Sequence, residues 1–359
     1  MICSRSIICN ELYASASGPL SDACTIYRPS RTRMIYIESI KGLATGGTEV
    51  LHQLFRSLKI RTPNVRMHYR GDWQGEEIPE RFREYQVEKV DAVDDVPENL
   101  IVIPETAPEL ISQYKSARKV LWWLSVDNFF FIRKRQREIS PYTVRRLVSR
   151  FIKDPVFKDK SVVHLTQSDY ASDFLCRNGI ANPIPLSDYL NEAFLRARAD
   201  VPGALRQDVV LYNPAKGADF TRQIIAHAQD VKFEPIQNMI PEQIIEKMKM
   251  SKVYIDFGAH PGKDRIPREA AWLGCVVITG RRGAAAYEHD IPIPEASRIS
   301  DSKRNIPRIV KRIREAFGNY PGVSREYDDY RRMIALEKDR FDSDVDHLWR
   351  TLFHRYSDA

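Results

Sequence analysis

Residues 252–287 read KVYIDFGAHPGKDRIPREAAWLGCVVITGRRGAAAY, and this stretch decides the fold. Two apolar runs within it, 253–257 and 275–279, are rich in β-branched and aromatic residues, which predicts two buried strands. Between them, Pro267 suits the first turn of a short helix, and Glu269 lies near the positive end of its dipole. Strand, polar loop, short helix and strand form the repeating unit of an open parallel α/β sheet. Ligands of such sheets bind beyond the carboxyl ends of the strands, so both loops are expected at one edge.

The two loops of this segment are basic and contain glycine. Glycine lets a ligand approach the backbone closely, and the helix N-terminus offers unpaired N–H groups. Together with cations these features suit a phosphate-bearing small molecule, and Glu269 adds an acceptor for sugar hydroxyls. The alternative is that the arginines form a solvated rim and that Glu269 only caps the helix. The residues of the segment expected to bind the ligand are Lys263, Arg265, Arg268, Glu269 and Gly283, with Arg281 and Arg282 adding positive charge.

Length and composition set the class of protein. The chain of 359 residues is long for a single core, so two domains are expected. A hydrophobic content of 43% and an aromatic content of 10% exclude a disordered chain. The net charge of +7 favours anionic partners such as nucleotides, acidic glycans, a membrane surface or nucleic acid, and it does not choose among them.

Cysteine usage and hydropathy predict a cytoplasmic protein. Five cysteines are scattered without metal-ligand spacing, which suits a reducing compartment and predicts no metal site. Cys176 and Cys275 lie in apolar patterns and are expected in the core. The sequence has no apolar run long enough to span a bilayer. Residues 1–32 lack the long apolar core of a secretory signal and are expected to form a poorly ordered leader.

The first half of the chain repeats the same pattern. An apolar run at 34–38 predicts a strand, a glycine-bearing loop follows at 39–49, and a helix is expected from about residue 50. Gly46 and Gly47 make this loop a ligand cradle, although a tight turn would also need glycine. The spacing matches neither the dinucleotide fingerprint nor the P-loop.

Carboxylates follow two of the predicted strands in this half. Further strands are expected at 99–103 and 119–124, each followed by polar residues that face the same crevice. Asp127 follows the second of these, and Glu38 ends the first strand of the chain. They are the candidates for acid/base chemistry, although an aspartate after a strand also commonly makes a turn.

Residues 129–153 combine bulky apolar groups with arginines and lysines. This composition is typical of a peripheral contact with anionic lipid and equally of a solvated basic helix face.

The remaining pattern divides the chain into domains. An extended, proline-stiffened stretch makes 186–207 an interdomain linker. It separates an N-terminal Rossmann-like domain at 33–185 from a C-terminal one at 208–318, and helices are expected at 319–359. In the second domain, Lys216 lies where a loop meets a helix N-terminus, which favours phosphate binding.

Residues 267–278, PREAAWLGCVVI, look like the EA-x-x-x-G-x-x-V-I segment of the GT-B glycosyltransferases of family 1/4 type. The wider segment resembles GT-B-like proteins from bacterial surface-polysaccharide clusters. The resemblance implies two Rossmann-like domains that face each other across a cleft, with C-terminal helices. It also implies that Glu269 holds the ribose of a nucleotide sugar and that Lys216 binds its diphosphate. Gly46 and Gly47 resemble the glycine-rich loop of the family's acceptor domain.

The sequence departs from the family pattern at two positions. Asn213 stands where the family has an arginine shortly before the diphosphate-binding lysine. Many retaining members carry two glutamates with seven residues between them, and Pro261 occupies the place of the first. Retention or inversion of the sugar's configuration is therefore open.

These features predict a metal-independent hexosyltransferase that uses a nucleotide-diphosphate sugar, with no other cofactor, to extend a cell-surface glycan or its lipid-linked precursor. A nucleotide-sugar epimerase of the same fold is an alternative. A basic nucleic-acid-binding protein is a further one, disfavoured because the charges gather at glycine-containing loops rather than on a helix with interleaved aromatics. The expected donor site consists of Gly46, Gly47, Lys216, Lys263, Arg265, Arg268, Glu269 and Gly283.

Overall fold

The computed structural model describes residues 33–136, 155–198 and 205–354. The predicted leader at 1–32 and residues 137–153 of the predicted lipid-contacting segment lie outside the described residues. Within the described ranges, no helix is both long enough and apolar enough to cross a membrane.

A parallel sheet of seven strands organises the first half of the described chain, in the order β3-β2-β1-β4-β5-β6-β7. Successive side chains of its first strand point to opposite faces, so Ile35 and Ile37 enter one core and Tyr36 enters the other. Both faces must therefore be covered by helices. The strands are β1 (Ile35–Ile40), β2 (Val65–Arg70), β3 (Lys89–Val90), β4 (Leu100–Pro104), β5 (Arg118–Trp123), β6 (Val163–Thr166) and β7 (Ile184–Pro185).

Helices connect and cover these strands. The first of them, α1, buries Val50, Leu51, Leu54 and Leu58, which recur at helical spacing against the sheet. Its start is capped by Thr45, whose hydroxyl accepts a hydrogen bond from the backbone N–H of the third helical residue. The helices of this half are α1 (Gly46–Lys59), α2 (Leu110–Gln113), α3 (Val126–Gln136), α4 (Pro155–Lys158) and α5 (Asp169–Arg177). The short helix α6 (Glu192–Arg196) follows β7 and buries Phe194 in the core of the second sheet.

A second, four-stranded parallel sheet has the order β11-β10-β8-β9. Its central strands are continuous apolar runs, as expected for strands that are buried on both faces. The strands are β8 (Gln207–Tyr212), β9 (Lys232–Pro235), β10 (Ser251–Asp256) and β11 (Val276–Thr279). The helices packed on them are α7 (Ala218–His227), α8 (Pro241–Met250), α9 (Arg265–Trp272) and α10 (Ile306–Gly318).

The last helices bind the two halves together. Helices α11 (Tyr320–Arg325) and α12 (Asp328–Ala335) pack on the second sheet, whereas α13 (Glu337–Leu348) returns to the first. Phe341, Val345 and Leu348 of α13 lie in the core that contains the buried face of α1. Contacts of this kind join the described residues, from 33 to 354, into one compact unit.

The predicted fold class is confirmed, because two parallel α/β sheets with C-terminal helices are present. One core prediction is wrong: Cys176 is exposed, since it lies on the outer side of α5, whereas Cys275 is buried as expected. Gly46 and Gly47 are also not in a loop, because they form the first residues of α1.

Candidate functional site

The carboxyl ends of strands from both sheets meet at the segment between β10 and α9. The backbone N–H of Val126, at the end of the β5 connection, donates to the carbonyl of Pro261 at 2.8 Å. On the same segment, the side chain of Arg265 lies against the start of α1, only 3.2 Å from where a Cβ on Gly46 would stand. Residues of both halves therefore face each other here, as the sheet-edge rule predicts.

Arg265 is held by acidic side chains from the first half and the linker. Its Nη1 donates to a carboxylate oxygen of Glu49 at 2.6 Å, and its Nε lies 3.5 Å from Asp188. Its Nε and Nη2 are buried and make no hydrogen bond with the described residues. Unused guanidinium donors are costly to bury, so they favour an additional acceptor at this position.

Arg268 lies behind Arg265 in the interior. It is fully buried, donates from Nη2 to both oxygens of Asp188 at 2.9 and 2.7 Å, and donates from Nη1 to Glu337 at 2.9 Å. Lys263 shares Glu337 at 2.8 Å and donates to the hydroxyl of Ser187 at 3.1 Å. Both predicted donor-binding cations are thus engaged in a buried ion network that ties together the linker, α9 and α13.

Lys216 lies where the loop after β8 approaches the same segment. Its ammonium donates to both carboxylate oxygens of Asp264, at 2.9 and 2.8 Å, and Nδ1 of His260 lies 3.0 Å from that carboxylate. Burial alone would raise the pKa of Asp264, but the hydrogen bond with His260 and the charge of Lys216 hold that pKa below its usual value. The lysine is therefore paired, with a third of its side chain exposed.

The same loop contains a group with metal-ligand geometry. Asp256, His260 and Asp264 each place one ligand atom within 4.8 Å of the others. In this structure the positive charge next to Asp264 comes from the ammonium of Lys216. Burial opposes protonation of His260, but the two carboxylates outweigh it and raise the pKa of that imidazole.

Glu269, on the second turn of α9, differs from these paired groups. Its side chain is only 9% exposed, and its carboxylate makes no hydrogen bond or ion pair with the residues that the structure describes. Burial raises its pKa to about 7, against the opposing effect of the charges on Arg265 and Arg268. A nearly buried carboxylate without a donor is unfavourable in the free protein, and donors from a ligand would relieve that cost.

The predicted glycines serve two purposes. Gly46 and Gly47 form the N-terminus of α1, and a Cβ on Gly47 would be in ordinary van der Waals contact with Leu124 at 3.8 Å. Gly283 has φ +55°, and a Cβ there would collide with the carbonyl oxygen of His260. Gly283 therefore allows the loop after β11 to lie against the segment before α9.

Arg281 and Arg282 of the loop after β11 pair with acids of the same half. Arg281 contacts Glu295, Arg282 contacts Asp301, and both arginine side chains are exposed. They form the rim of this edge rather than its interior.

The two carboxylates predicted for acid/base chemistry lie in different surroundings. Glu38 is fully buried in β1, where it accepts hydrogen bonds from Tyr114 Oη at 2.6 Å and from His68 Nδ1 at 3.0 Å. Asp127 is partly exposed at the start of α3 and accepts from Tyr170 Oη at 2.9 Å. Only Asp127 lies next to the contact between the two halves.

A cavity of about 530 Å³ opens beside Lys263 rather than over Glu269. It lies between the ends of β6 and β7, the loop after β11 and the last helices, and its polar lining includes Gln167, Ser187, Asp290 and Glu337. Its volume is typical of small-ligand pockets. The structure thus places Lys263 at this cavity, and places Arg265, Glu269 and the start of α1 together on the other side of the ion network.

The sequence analysis missed the acidic members of this region. Glu49, Asp188, Asp264 and Glu337 neutralise the cations that were predicted to bind a ligand. The sequence around Glu49 could have indicated its place in the site, because an acidic residue in the first turn after two glycines faces the same edge as they do. The sequence around Asp188 and Glu337 contains no such indication.

Comparison with known proteins supports the fold. No family model matches the sequence, and no curated protein matches it. Sucrose-phosphate synthase from Thermosynechococcus elongatus superposes with a TM-score of 0.60 at 14% identity, covering 89% of this chain and 99% of that one. HepE of Anabaena, in complex with UDP, gives 0.54 at 10% identity over 89% and 100% of the two chains. A glycosyltransferase from Rickettsia africae gives 0.53 at 10% identity over 91% and 100%. At these identities the similarity shows the fold, and the chain therefore has the GT-B fold that its sequence predicts.

Proposed function

We propose that this protein is a glycosyltransferase that takes a sugar from a nucleotide-diphosphate sugar. The observation that supports this function most directly is the carboxylate of Glu269, nearly buried and without a partner beside Arg265. Two hydroxyl donors on adjacent carbons, as in a ribose, match the two free oxygens of that carboxylate. The UDP complex of the Anabaena neighbour has the same fold and agrees with a nucleotide ligand.

The diphosphate of the donor would lie between Arg265, Lys216 and the start of α1. Arg265 has two unused N–H donors, and the helix start adds backbone N–H groups and the positive end of a dipole. Negative charge develops on the leaving diphosphate during sugar transfer, and fixed cations and N–H groups stabilise it without rearranging during the reaction. Because Arg265 and Lys216 are paired with Glu49 and Asp264, the diphosphate would share or replace those carboxylate contacts, and in this proposal the two cations then take the place of a metal ion.

Arg268 and Lys263 take a positioning role in this proposal. Their charges are neutralised by Asp188 and Glu337, so they hold α9 against the linker and α13. This fixes the axis of α9 and with it the direction of Glu269 and Arg265.

The acceptor would approach from the first sheet. Asp127 is the candidate base for the acceptor hydroxyl, because it lies one residue from the contact with Pro261 and remains partly exposed. The proposal also includes a hexosyl donor and an acceptor that is a cell-surface glycan or a lipid-linked precursor. It further includes a cytoplasmic location and a peripheral membrane contact through residues 129–153.

Calorimetric titration with UDP and with GDP tests the donor site. Glu269→Gln is expected to weaken binding of the preferred nucleotide about 10- to 100-fold, since hydrogen bonds to a charged acceptor contribute about 1.5–3 kcal/mol. The matched control is Glu246→Gln, an exposed glutamate on α8 of the same half, which should leave affinity unchanged.

Equal affinity in Glu269→Gln and the parent protein would refute the assigned role. Incubation with nucleotide sugars alone then separates the reactions, because a transferase without acceptor gives at most slow hydrolysis to the nucleoside diphosphate. Conversion of the donor to its epimer would refute the transferase proposal.

A further inference from the structure

An exposed tryptophan is fixed at the edge of the first sheet, in the loop that follows β2. The side chain of Trp73 is 54% exposed, although tryptophan is usually well buried. It makes no aromatic or cation–π contact with the described residues. A single exposed apolar side chain is common on protein surfaces, so the informative observation is where this indole is placed rather than that it is exposed.

Two glycines hold the ring in place. A Cβ on Gly42 would stand 2.5 and 2.6 Å from Nε1 and Cδ2 of the indole and still closer to Cε2, so this glycine lies over one face. A Cβ on Gly75 would stand 2.7, 3.2 and 3.5 Å from Nε1, Cε2 and Cζ2, so this glycine closes the nitrogen edge. Neither position can carry a side chain without moving the ring, and Gly42 also has φ +66°. About half of the residue's surface stays exposed to solvent.

The loops that carry these residues are rigidly joined. Backbone N–H groups of Lys41 and Gly42 donate to the carbonyls of Arg70 and Glu77, both at 2.9 Å. The carboxylate of Glu77 also pairs with Lys41 at 2.8 Å and with Lys89 at 2.6 Å. The backbone on which the indole rests is therefore held in place, which limits the entropy lost when a flat ligand binds the ring.

The position of the indole relates it to the proposed donor site. Gly42, beneath the ring, lies four residues before Gly46, the first residue of α1, which is against Arg265. An extended stretch of that length spans at most about 14 Å. The indole thus lies at the same sheet edge as the donor-binding groups and on the half of the protein opposite to most of them.

We propose that Trp73 is the platform on which a pyranose ring of the acceptor stacks. This inference rests on the proposed glycosyltransferase function. An indole face is apolar and electron-rich, and the C–H groups on one face of a pyranose are complementary to it, while the sugar hydroxyls stay in contact with water. Contact with an anionic membrane is less favoured, because the cations near the ring, Lys41, Arg83 and Lys89, are already paired with Glu76 and Glu77 and leave no surplus positive charge for lipid headgroups.

The test uses the full-length protein with saturating UDP and four probes, the methyl glycosides of glucose, galactose, mannose and N-acetylglucosamine. Saturation-transfer NMR is expected to show transfer to the ring C–H protons of at least one glycoside. Trp73→Ala should reduce that signal about five- to tenfold, and Trp73→Phe should retain part of it. Ile60→Ala removes an 81% exposed side chain at the far end of α1 and should change nothing.

Affinity for UDP separates this inference from the proposed function. Trp73→Ala should bind UDP within about twofold of the parent protein, which also shows that the variant is folded. If UDP binds and no glycoside gives a signal, or if the signal is the same in Trp73→Ala, the platform is refuted while the donor site stands. Loss of flotation with anionic vesicles in Trp73→Ala, without any glycoside signal, would likewise overturn it in favour of a lipid contact.

Discussion

Replacement of Glu269 by glutamine should stabilise the protein at alkaline pH while weakening its ligand site. The pKa of this carboxyl is raised from 4.5 to about 7, chiefly because the group is buried. Each pKa unit corresponds to about 1.4 kcal/mol, so the ionised form reduces the free energy of unfolding by about 3 kcal/mol above pH 7. Glutamine is uncharged at every pH and does not carry this cost.

The sign of the pH dependence follows from the direction of the shift. Because the native pKa lies above the unfolded value, the native state binds the proton more tightly, and stability falls as pH rises from about 4.5 to about 7. The advantage of Glu269→Gln should therefore be small at pH 5 and reach about 3 kcal/mol at pH 8. Urea denaturation of both proteins at the two pH values measures this difference.

The control is Glu337, a buried glutamate that contacts α9 through an ion pair. Glu337 is paired with Arg268 at 2.9 Å and Lys263 at 2.8 Å, so Glu337→Gln should destabilise the protein by roughly 3–5 kcal/mol at pH 8. Opposite signs for the two substitutions would identify Glu269 as a group kept for a ligand. A loss of stability at pH 8 in Glu269→Gln would refute this reasoning and show that its charge is paired within the fold.

Three further outcomes are expected. Asp188→Asn should cost roughly 3–5 kcal/mol in urea denaturation, because it leaves the charge of Arg268 buried without its bidentate partner; a change below 1 kcal/mol would contradict the ion network. Gly283→Ala should lower the midpoint of thermal unfolding strongly or prevent folding, since its Cβ collides with the backbone of His260, and unchanged melting would show that the loop can move away. His164 should show no imidazole titration by NMR between pH 8 and about 5, because burial lowers its pKa to about 4 and its Nδ1 already accepts from a buried indole; a midpoint near 6.5 would contradict this.

Local pattern was enough to predict the elements of the second sheet. The runs at 253–257 and 275–279 became β10 and β11, and the helix expected at Pro267 begins at Arg265. The two strands are continuous apolar runs, and the helix has a proline in its first turn. Their secondary structure and burial can therefore be predicted from a few neighbouring residues.

β2 and β3 of the first sheet, like the two-residue β7 at its opposite edge, escaped the sequence analysis for a physical reason. β2 alternates buried and half-buried residues and carries arginine and histidine, and its neighbour β3 is only two residues long. Such strands near the edge of a sheet need less apolar surface, and the pairing that forms them comes from distant residues.

The charge network of the site could not be predicted from spacing. Arg268 pairs with Asp188 and Glu337, which lie 80 and 69 residues away in the sequence. A sequence shows a cluster of cations at one loop, but which of them is neutralised depends on how linker and C-terminal helix pack against it. The closeness of Glu269 to Arg265 could be predicted, because the two residues lie four positions apart on one short helix.

The return of the last helix to the first core has a consequence for biosynthesis. Phe341, Val345, Leu348 and Phe353 complete an interior whose other buried members are translated before residue 190. At bacterial or eukaryotic elongation rates, the ribosome needs on the order of ten to thirty seconds to synthesise the roughly 150 residues between residue 190 and α13. During that interval the nascent first half exposes the apolar surface that α13 will cover. Its core therefore reaches its final packing only after α13 has been synthesised.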